Sequence, residues 1–254
     1  MLNPRRYQTF VDAVFSILAD IGRPGPAEDT RILDFGCGTG EVVDILVQRG
    51  HRHALGFDVA RERVEIARER FPHGDGQRFR VIERQPYRLP IEDASVDIVI
   101  SGQVLEHVES LGDAFQEFRR IMRPEAIGIH IFPPKYRLLE THTQVPFGNI
   151  LTSRLWHAGW IRLGFKRQFG RELSPFEHAD AHLRFFENNT FYRTERDITE
   201  TARSHGLSAR FLNGLKYSAR LRIPSMLRSS PPAQIAYSTF VSKVLVLAQA
   251  PREA

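Results

Sequence analysis

The sequence predicts an α/β fold in which a parallel sheet carries helices on both faces, and three observations predict it. Short apolar runs alternate with segments of helical periodicity from Arg31 to Phe132. Those runs, Val96 to Ser101 above all, are too continuously apolar for a sheet with one wet face. Between the first run and the helix after it lies Gly36-Cys37-Gly38-Thr39-Gly40, three glycines at alternate positions.

Taken in order, Leu2 to Ile21 reads as an amphipathic helix with Phe10, Val14, Ile17 and Leu18 on one side, ended by Gly22-Arg23-Pro24-Gly25-Pro26. Arg31 to Phe35 is a strand, Glu41 to Gln48 a helix closed by Gly50, His53 to Asp58 a strand and Arg61 to Phe71 a helix. Phe79 to Glu83, Val96 to Ser101 and Ile127 to Phe132 are further strands, with a helix from Leu111 to Met122 between the last two. After Pro134 the alternation stops. Residues 135–190 are rich in aromatics, His and Arg and show no clear rhythm. Thr194 then opens a helix, with Asp197 as its capping-box partner and Gly206 as its stop. Leu207 to Leu212 and Phe240 to Leu247 read as two last strands, separated by a basic loop from Arg220 to Pro232. One α/β domain is expected: a core over 1–134, a cap insertion over 135–190, and 191–254 completing the sheet.

Composition fits a globular chain: 254 residues, 42% hydrophobic and 26% charged. No apolar run approaches the ~18 residues of a membrane span. Met1 to Phe10 holds Arg5 and Arg6 but no apolar segment follows with a cleavage site, so no secretory signal is expected. A lone cysteine, Cys37, points to a reducing, cytoplasmic setting. The net charge of +5 is unevenly spread. Residues 1–150 hold 19 basic and 22 acidic side chains, residues 151–254 hold 16 and 8. The basic part therefore suits an acidic partner, whether a phosphorylated small molecule, nucleic acid or an anionic membrane face, with solvated surface charge as the plain alternative.

The glycine loop removes Cβ atoms from the carboxyl end of the first strand and tolerates positive φ. The second strand ends in Asp58, 18 residues after Gly40, where a carboxylate can accept both hydroxyls of a ribose. Loop and acid together form a ribonucleoside site. The spacing Gly36-x-Gly38-x-Gly40 departs from the dinucleotide pattern. The stretch Ile32 to Gly40 resembles the first motif of the class I S-adenosylmethionine-dependent methyltransferases. The resemblance continues through Leu55-Gly56-Phe57-Asp58, Leu89 to Asp97, Gln103-Val104-Leu105-Glu106-His107 and Arg120-Ile121-Met122-Arg123-Pro124.

The resemblance implies a doubly wound, mostly parallel, seven-stranded Rossmann-like sheet, with S-adenosyl-L-methionine as cofactor and S-adenosyl-L-homocysteine as product. It implies that Gly36, Cys37 and Gly38 line the methionine end of the cofactor, with Asp34 and Gly40 also in the cofactor site, that Asp58 holds the ribose and that Val59 packs on adenine. Gln85 stands where relatives carry a carboxylate for the adenine amino group, and its carbonyl can accept the same bond. Gln103 is expected at the methionine end and the substrate mouth. The position of Cys37 in the loop explains it without nucleophilic chemistry.

Methyl transfer from a sulfonium is an in-line displacement, so alignment does most of the work. A hydroxyl acceptor also gains from a base near neutral pH, for which histidine is suited. Two histidines qualify. His142 lies in Leu139 to Phe147, a Glu-x-His segment that looks like one in methyltransferases of bacterial polysaccharide and lipid-sugar pathways, and a nearby carboxylate would orient it. His107 is the second candidate, with loop packing as its plain alternative. Ubiquinone-pathway O-methyltransferases present a Glu-x-x-Glu-His set that binds a divalent ion. Here Gln103 replaces the first carboxylate and, although His142 would add a ligand, no metal is expected.

The segment from Arg154 to Phe169 mixes large aromatics with cations, which suits a cap packing its aromatics inward or a peripheral membrane contact. Arg220, Arg222 and Arg228 suit a phosphate of a nucleotide-linked or lipid-linked sugar. The expected acceptor is a hydroxyl oxygen of a small, sugar-like or otherwise anionic molecule. N- or C-methylation of a small molecule or lipid, RNA methylation and a catalytically silent cofactor-binding scaffold are the alternatives. Nucleic acid is disfavoured because Phe132-Pro133-Pro134-Lys135 is a poor match to a base-methylation motif.

Overall fold

The computed structural model describes residues 4–72, 78–84, 87–140, 142–165, 173–217 and 230–249. Helix α1 (Pro4–Asp20) precedes β1 (Ile32–Phe35), α2 (Glu41–Gln48), β2 (Leu55–Asp58), α3 (Arg61–Arg70) and β3 (Phe79–Val81). Strand β4 (Val96–Gly102), a 3₁₀ turn (Leu105–His107), α4 (Leu111–Ile121) and β5 (Met122–Phe132) follow. The cap segment supplies α5 (Arg154–Arg162) and α6 (Pro175–Asn189). Then come α7 (Glu195–Ser204), β6 (Leu207–Leu212), a second 3₁₀ turn (Gly214–Tyr217), α8 (Pro231–Phe240) and β7 (Lys243–Gln249).

The seven strands form one sheet in the order β3-β2-β1-β4-β5-β7-β6. Pairings from β3 across to β5 are parallel, and β7 runs antiparallel between β5 and β6. Side chains alternate between the two faces with period two. Ile32, Ile98, Ile100, Ile127, Ile129, Val244 and Val246 meet Val11, Val14 and Ile17 of α1 and Val43 and Leu46 of α2. Leu33, Phe35, Val99, Leu245 and Leu247 meet Phe115, Phe118 and Ile121 of α4 and Ile198 of α7 on the other face. Burial on both faces is why the strands read as unbroken apolar runs. The connection from β1 leads to β2 on one side while β4 lies on the other, so the strand order reverses at β1/β4. In sheets of this kind the carboxyl ends of the strands at such a reversal form the crevice that binds ligands.

Three expectations need correction. Residues 135–190 contain two well-capped helices. Ser174 and Glu177 form a capping box at α6, and Ser153 caps α5. The two helices bury Ala158 and Ile161 against Ala179 and Phe176, and His157 against His182 and Phe186. Phe240 ends a helix and does not begin a strand, because Pro231 and Pro232 occupy the first helical turn, where missing N–H groups cost nothing. Strand β5 begins at Met122, since the chain after α4 pairs with Val96 across a bulge before the regular ladder starts at Ile127. Gln85, the segment from Lys166 to Phe169, and Arg220, Arg222 and Arg228 lie outside the described residues.

The large apolar side chains of the cap are divided between inside and outside. Trp156 donates its indole N–H to the Pro146 carbonyl at 2.8 Å, and Trp160 packs edge-on to Phe165. Leu155 and Leu163 of the same segment stay 74% and 72% exposed. Among the described residues no helix is long and apolar enough to cross a membrane.

Candidate functional site

The crevice is floored by the loop after β1. The Gly36 and Cys37 N–H groups both donate to the Phe57 carbonyl, at 2.7 and 3.1 Å, which draws the loop over the end of β2. Gly36, Gly38 and Gly40 have φ of +81°, +53° and +87°, a region open to glycine and strained for other residues. A Cβ at Gly36 would sit 2.4 Å from Val104 Cγ2, and one at Gly40 2.9 Å from Ala67 Cβ and Phe79 Cζ. A Cβ at Gly38 would meet nothing within 4 Å, so this glycine borders open space. Cys37 is buried, and burial followed by the nearby Asp34 and Asp58 pushes its thiol well up, away from nucleophilic character.

Asp58 closes the second side. Its Oδ2 accepts the Gly38 N–H and its Oδ1 the Ala60 N–H, both at 2.8 Å. Each oxygen keeps a second lone pair for a ligand hydroxyl. Val59 follows, half-buried against the core. Asp34 lies beneath the loop, its carboxyl raised to about 8 by burial and by Asp58 and Glu41. Gln103, at the end of β4, takes φ +63°, a strained conformation for glutamine, and its N–H is held by the Ile131 carbonyl at 2.8 Å. Thus the loop glycines, Asp34, Asp58, Val59 and Gln103 gather at one edge of the sheet.

A second cluster of polar side chains is built from the 3₁₀ turn and the loop after β5. Glu140 is fully buried, and its carboxylate receives the His142 ring at 2.7 Å, the His142 and Thr143 N–H groups at 2.7 Å, and the Tyr192 hydroxyl at 2.8 Å. Burial pushes this carboxyl up, but the His142 ring, Thr143 and Tyr192 outweigh it and hold it at about 2. An ionised Glu140 requires a proton on His142 Nδ1, so in the neutral tautomer it is Nε2 that carries the lone pair. His107 stacks edge-on to His142 with centroids 4.9 Å apart, and Phe185 packs on the other ring face at 5.1 Å. His107 Nδ1 donates to the Asn189 carbonyl at 2.5 Å, and burial lowers the pKa of its imidazole. Glu106 is buried without a hydrogen-bond partner for either oxygen among the described residues, and burial raises its carboxyl to about 8.

The structure brings together His107, His142 and Glu140, which sequence reasoning named, with Tyr192 and Asn189, which it did not. Their segment returns from the cap, where the Phe191 N–H binds the Glu106 carbonyl at 2.6 Å. No short motif marks such long-range supports.

Residues 33–129 match the methyltransferase domain family. The match, the relatives and the fold together identify a class I S-adenosylmethionine-dependent methyltransferase domain over this part of the chain. Across 174 residues it is 24% identical to a demethylmenaquinone methyltransferase of Chlorobaculum tepidum, covering 66% of this chain and 67% of that protein. Across 110 residues it is 34% identical to a malonyl-[acyl-carrier protein] O-methyltransferase of Methylococcus capsulatus, covering 43% of this chain and 39% of that protein. The chain thus spans well under half of the second relative. An S-adenosylmethionine-dependent methyltransferase structure from Mesorhizobium loti superposes with a TM-score of 0.57 over 92% of this chain and 97% of that one, at 13% identity, a likeness of fold. The open space at Gly38 and the spare lone pairs of Asp58 fit the family's cofactor, S-adenosylmethionine.

Proposed function

We propose that this methyltransferase transfers a methyl group to a hydroxyl oxygen of a small anionic, sugar-like acceptor. The observation that carries the reading is the Glu140–His142 pair. It engages Nδ1 of His142 and leaves Nε2 for a substrate proton, in a ring that packs on His107 of the turn after β4. In this reading Asp34, Gly36, Cys37, Gly38 and Gly40 form the floor under the methionine end. Asp58 receives the ribose hydroxyls, Val59 borders adenine, and Gln103 stands between methionine end and acceptor.

Bound S-adenosylmethionine supplies an electrophilic methyl on a sulfonium whose leaving group is a neutral thioether. His142 Nε2 takes the acceptor hydroxyl proton as the oxygen–carbon bond forms and the carbon–sulfur bond breaks. Glu140 stabilises the resulting imidazolium. Such a base contributes about 10²–10⁴ in rate, and the cap excludes water from the site. An anionic acceptor is supported by the basic excess after residue 150 and by Arg137, whose charge reaches both Glu106 and Tyr192. The O-methyl reading is further supported by the name of the Methylococcus relative.

The test is methyl transfer from labelled S-adenosylmethionine into fractionated cell extract, followed by kinetics on the acceptor found. His142→Ala is expected to lose at least about 10²-fold in turnover with cofactor affinity retained. Turnover within a few-fold of the parent would remove the base assignment.

A further inference from the structure

The geometry points to a divalent-cation site formed by Glu106, His107 and His142 at the acceptor mouth. One ligand atom from each residue lies within 4.8 Å of the others. Three independent features make this more than proximity. The Glu106 carboxylate is buried with no hydrogen-bond partner for either oxygen among the described residues, a costly arrangement that a cation would relieve. His107 Nδ1 must donate to the Asn189 carbonyl, since a carbonyl only accepts, so its ligating nitrogen is Nε2, which stands 4.0 Å from Glu106 Oε1. His142 Nδ1 is likewise engaged by the Glu140 carboxylate, so Nε2 carries its lone pair. Fixing the far nitrogen of each ligating histidine with a carboxylate or a backbone carbonyl is the usual support of a metal ligand. Tyr192 and Thr143 in turn hold Glu140.

The donor set, two imidazoles and one carboxylate, suits borderline divalent ions such as Zn²⁺, Co²⁺ or Mn²⁺ better than Mg²⁺ or Ca²⁺, which favour all-oxygen sites. Metal–ligand bonds of about 2.0–2.2 Å place ligand atoms roughly 3.3–3.6 Å apart, so the side chains draw in by about an ångström on binding. Three protein ligands leave at least one position for the acceptor oxygen. An ion there would lower the pKa of a coordinated acceptor hydroxyl, whose proton would pass to water as the oxygen–carbon bond forms and the carbon–sulfur bond breaks. With the ion bound, His142 Nε2 would serve as a ligand in place of the base role proposed above; without it, the same nitrogen serves as that base. The inference rests on the proposed placement of the acceptor hydroxyl at His142, and it narrows the acceptor to one with a hydroxyl able to coordinate, a vicinal diol being best suited.

The experiment titrates Co²⁺ into chelator-treated full-length protein and reads visible absorption and calorimetric stoichiometry, with Zn²⁺ as competitor. One equivalent should bind, Zn²⁺ should displace it, and Glu106→Gln and His107→Ala should each weaken binding at least tenfold. S-adenosylmethionine affinity, which none of the three residues touches, checks that the variants are folded. Absence of saturable Co²⁺ binding, or binding unchanged in Glu106→Gln, overturns the cation site. Turnover separates this from the base reading. Loss in His142→Ala with full turnover in chelator-treated protein and in Glu106→Gln sinks the cation site and leaves the base. Turnover that depends on added Co²⁺ or Zn²⁺ and is lost in Glu106→Gln supports the cation site. Full turnover in His142→Ala and Glu106→Gln alike removes both.

Discussion

Adding one methyl group at Gly38 or at Gly40 separates cofactor binding from folding. Both residues are left-handed, at φ +53° and +87°, so alanine at either costs about 1–2 kcal/mol in backbone strain. At Gly40 the new Cβ would also lie 2.9 Å from Ala67 Cβ and Phe79 Cζ, both in side chains buried to within 1%. Neither can swing aside, so overpacking adds about 1–3 kcal/mol. Gly40→Ala should therefore lose about 2–5 kcal/mol, a fall in melting temperature of roughly 5–15 °C for a chain of this size. Gly38→Ala meets no protein atom within 4 Å and should lose only the strain, roughly 2–6 °C. Its methyl instead enters the space assigned to the cofactor, and a clash of about 1–3 kcal/mol there weakens S-adenosylmethionine roughly 5- to 150-fold. Differential scanning fluorimetry reads the first quantity and titration calorimetry the second. Equal melting losses in the two variants, or cofactor affinity within twofold of the parent in Gly38→Ala, would refute the assignment of the open side of the loop.

Three further outcomes are expected. Glu140→Gln places an amide NH₂ among the donors from His142, Thr143 and Tyr192, and should cost about 3–5 kcal/mol of stability as well as most turnover; an unchanged melting temperature counts against the network. The Asp34 carboxyl, raised to about 8, keeps a proton in the folded state that the unfolded chain gives up above about 4. Stability of cofactor-free protein should thus fall as pH rises from about 4 to about 8 and then level off; Asp34→Asn should flatten that decline, and identical slopes from melting curves between pH 5 and 8 would be contrary evidence. Thr194→Ala removes the reciprocal capping box with Asp197 at α7 and should cost about 1 kcal/mol, read by urea unfolding; no shift in midpoint would mean that the cap is redundant.

The cofactor side was legible because it is built from backbone. A short strand, alternate glycines and an acid at the next strand end are local patterns, and the sheet brings them together through its strand order alone. The acceptor side is built from side chains far apart in the chain. His142 and its Glu140 are neighbours in sequence and could be read, but Tyr192 reaches Glu140 from 52 residues away. The Asn189 carbonyl that fixes His107 lies 82 residues from it, and a backbone carbonyl leaves no mark on residue type. Helix α6 was a different kind of miss. Its Ser174-Pro175-Phe176-Glu177 start is a capping box with proline in the first turn, a readable signal hidden among aromatics and histidines that blurred the periodicity behind it.

The two histidines are oriented from opposite ends of the cap, and this gives the cap a role beyond covering the site. Glu140 stands eight residues past β5 and fixes His142, while Asn189 is the last residue of α6 and fixes His107. Tyr192, three residues beyond Asn189, binds Glu140 and so joins the two supports. The 4.9 Å spacing of the imidazole rings therefore depends on how α6 sits against α5, through His157, Ala158, Ile161 and Ala179. A packing change between those helices shifts the Asn189 carbonyl and turns His107 without touching the glycine loop or Asp58. Cofactor binding and acceptor chemistry are thus separable by substitution: the first answers to the loops of the sheet, the second to the interior of the cap.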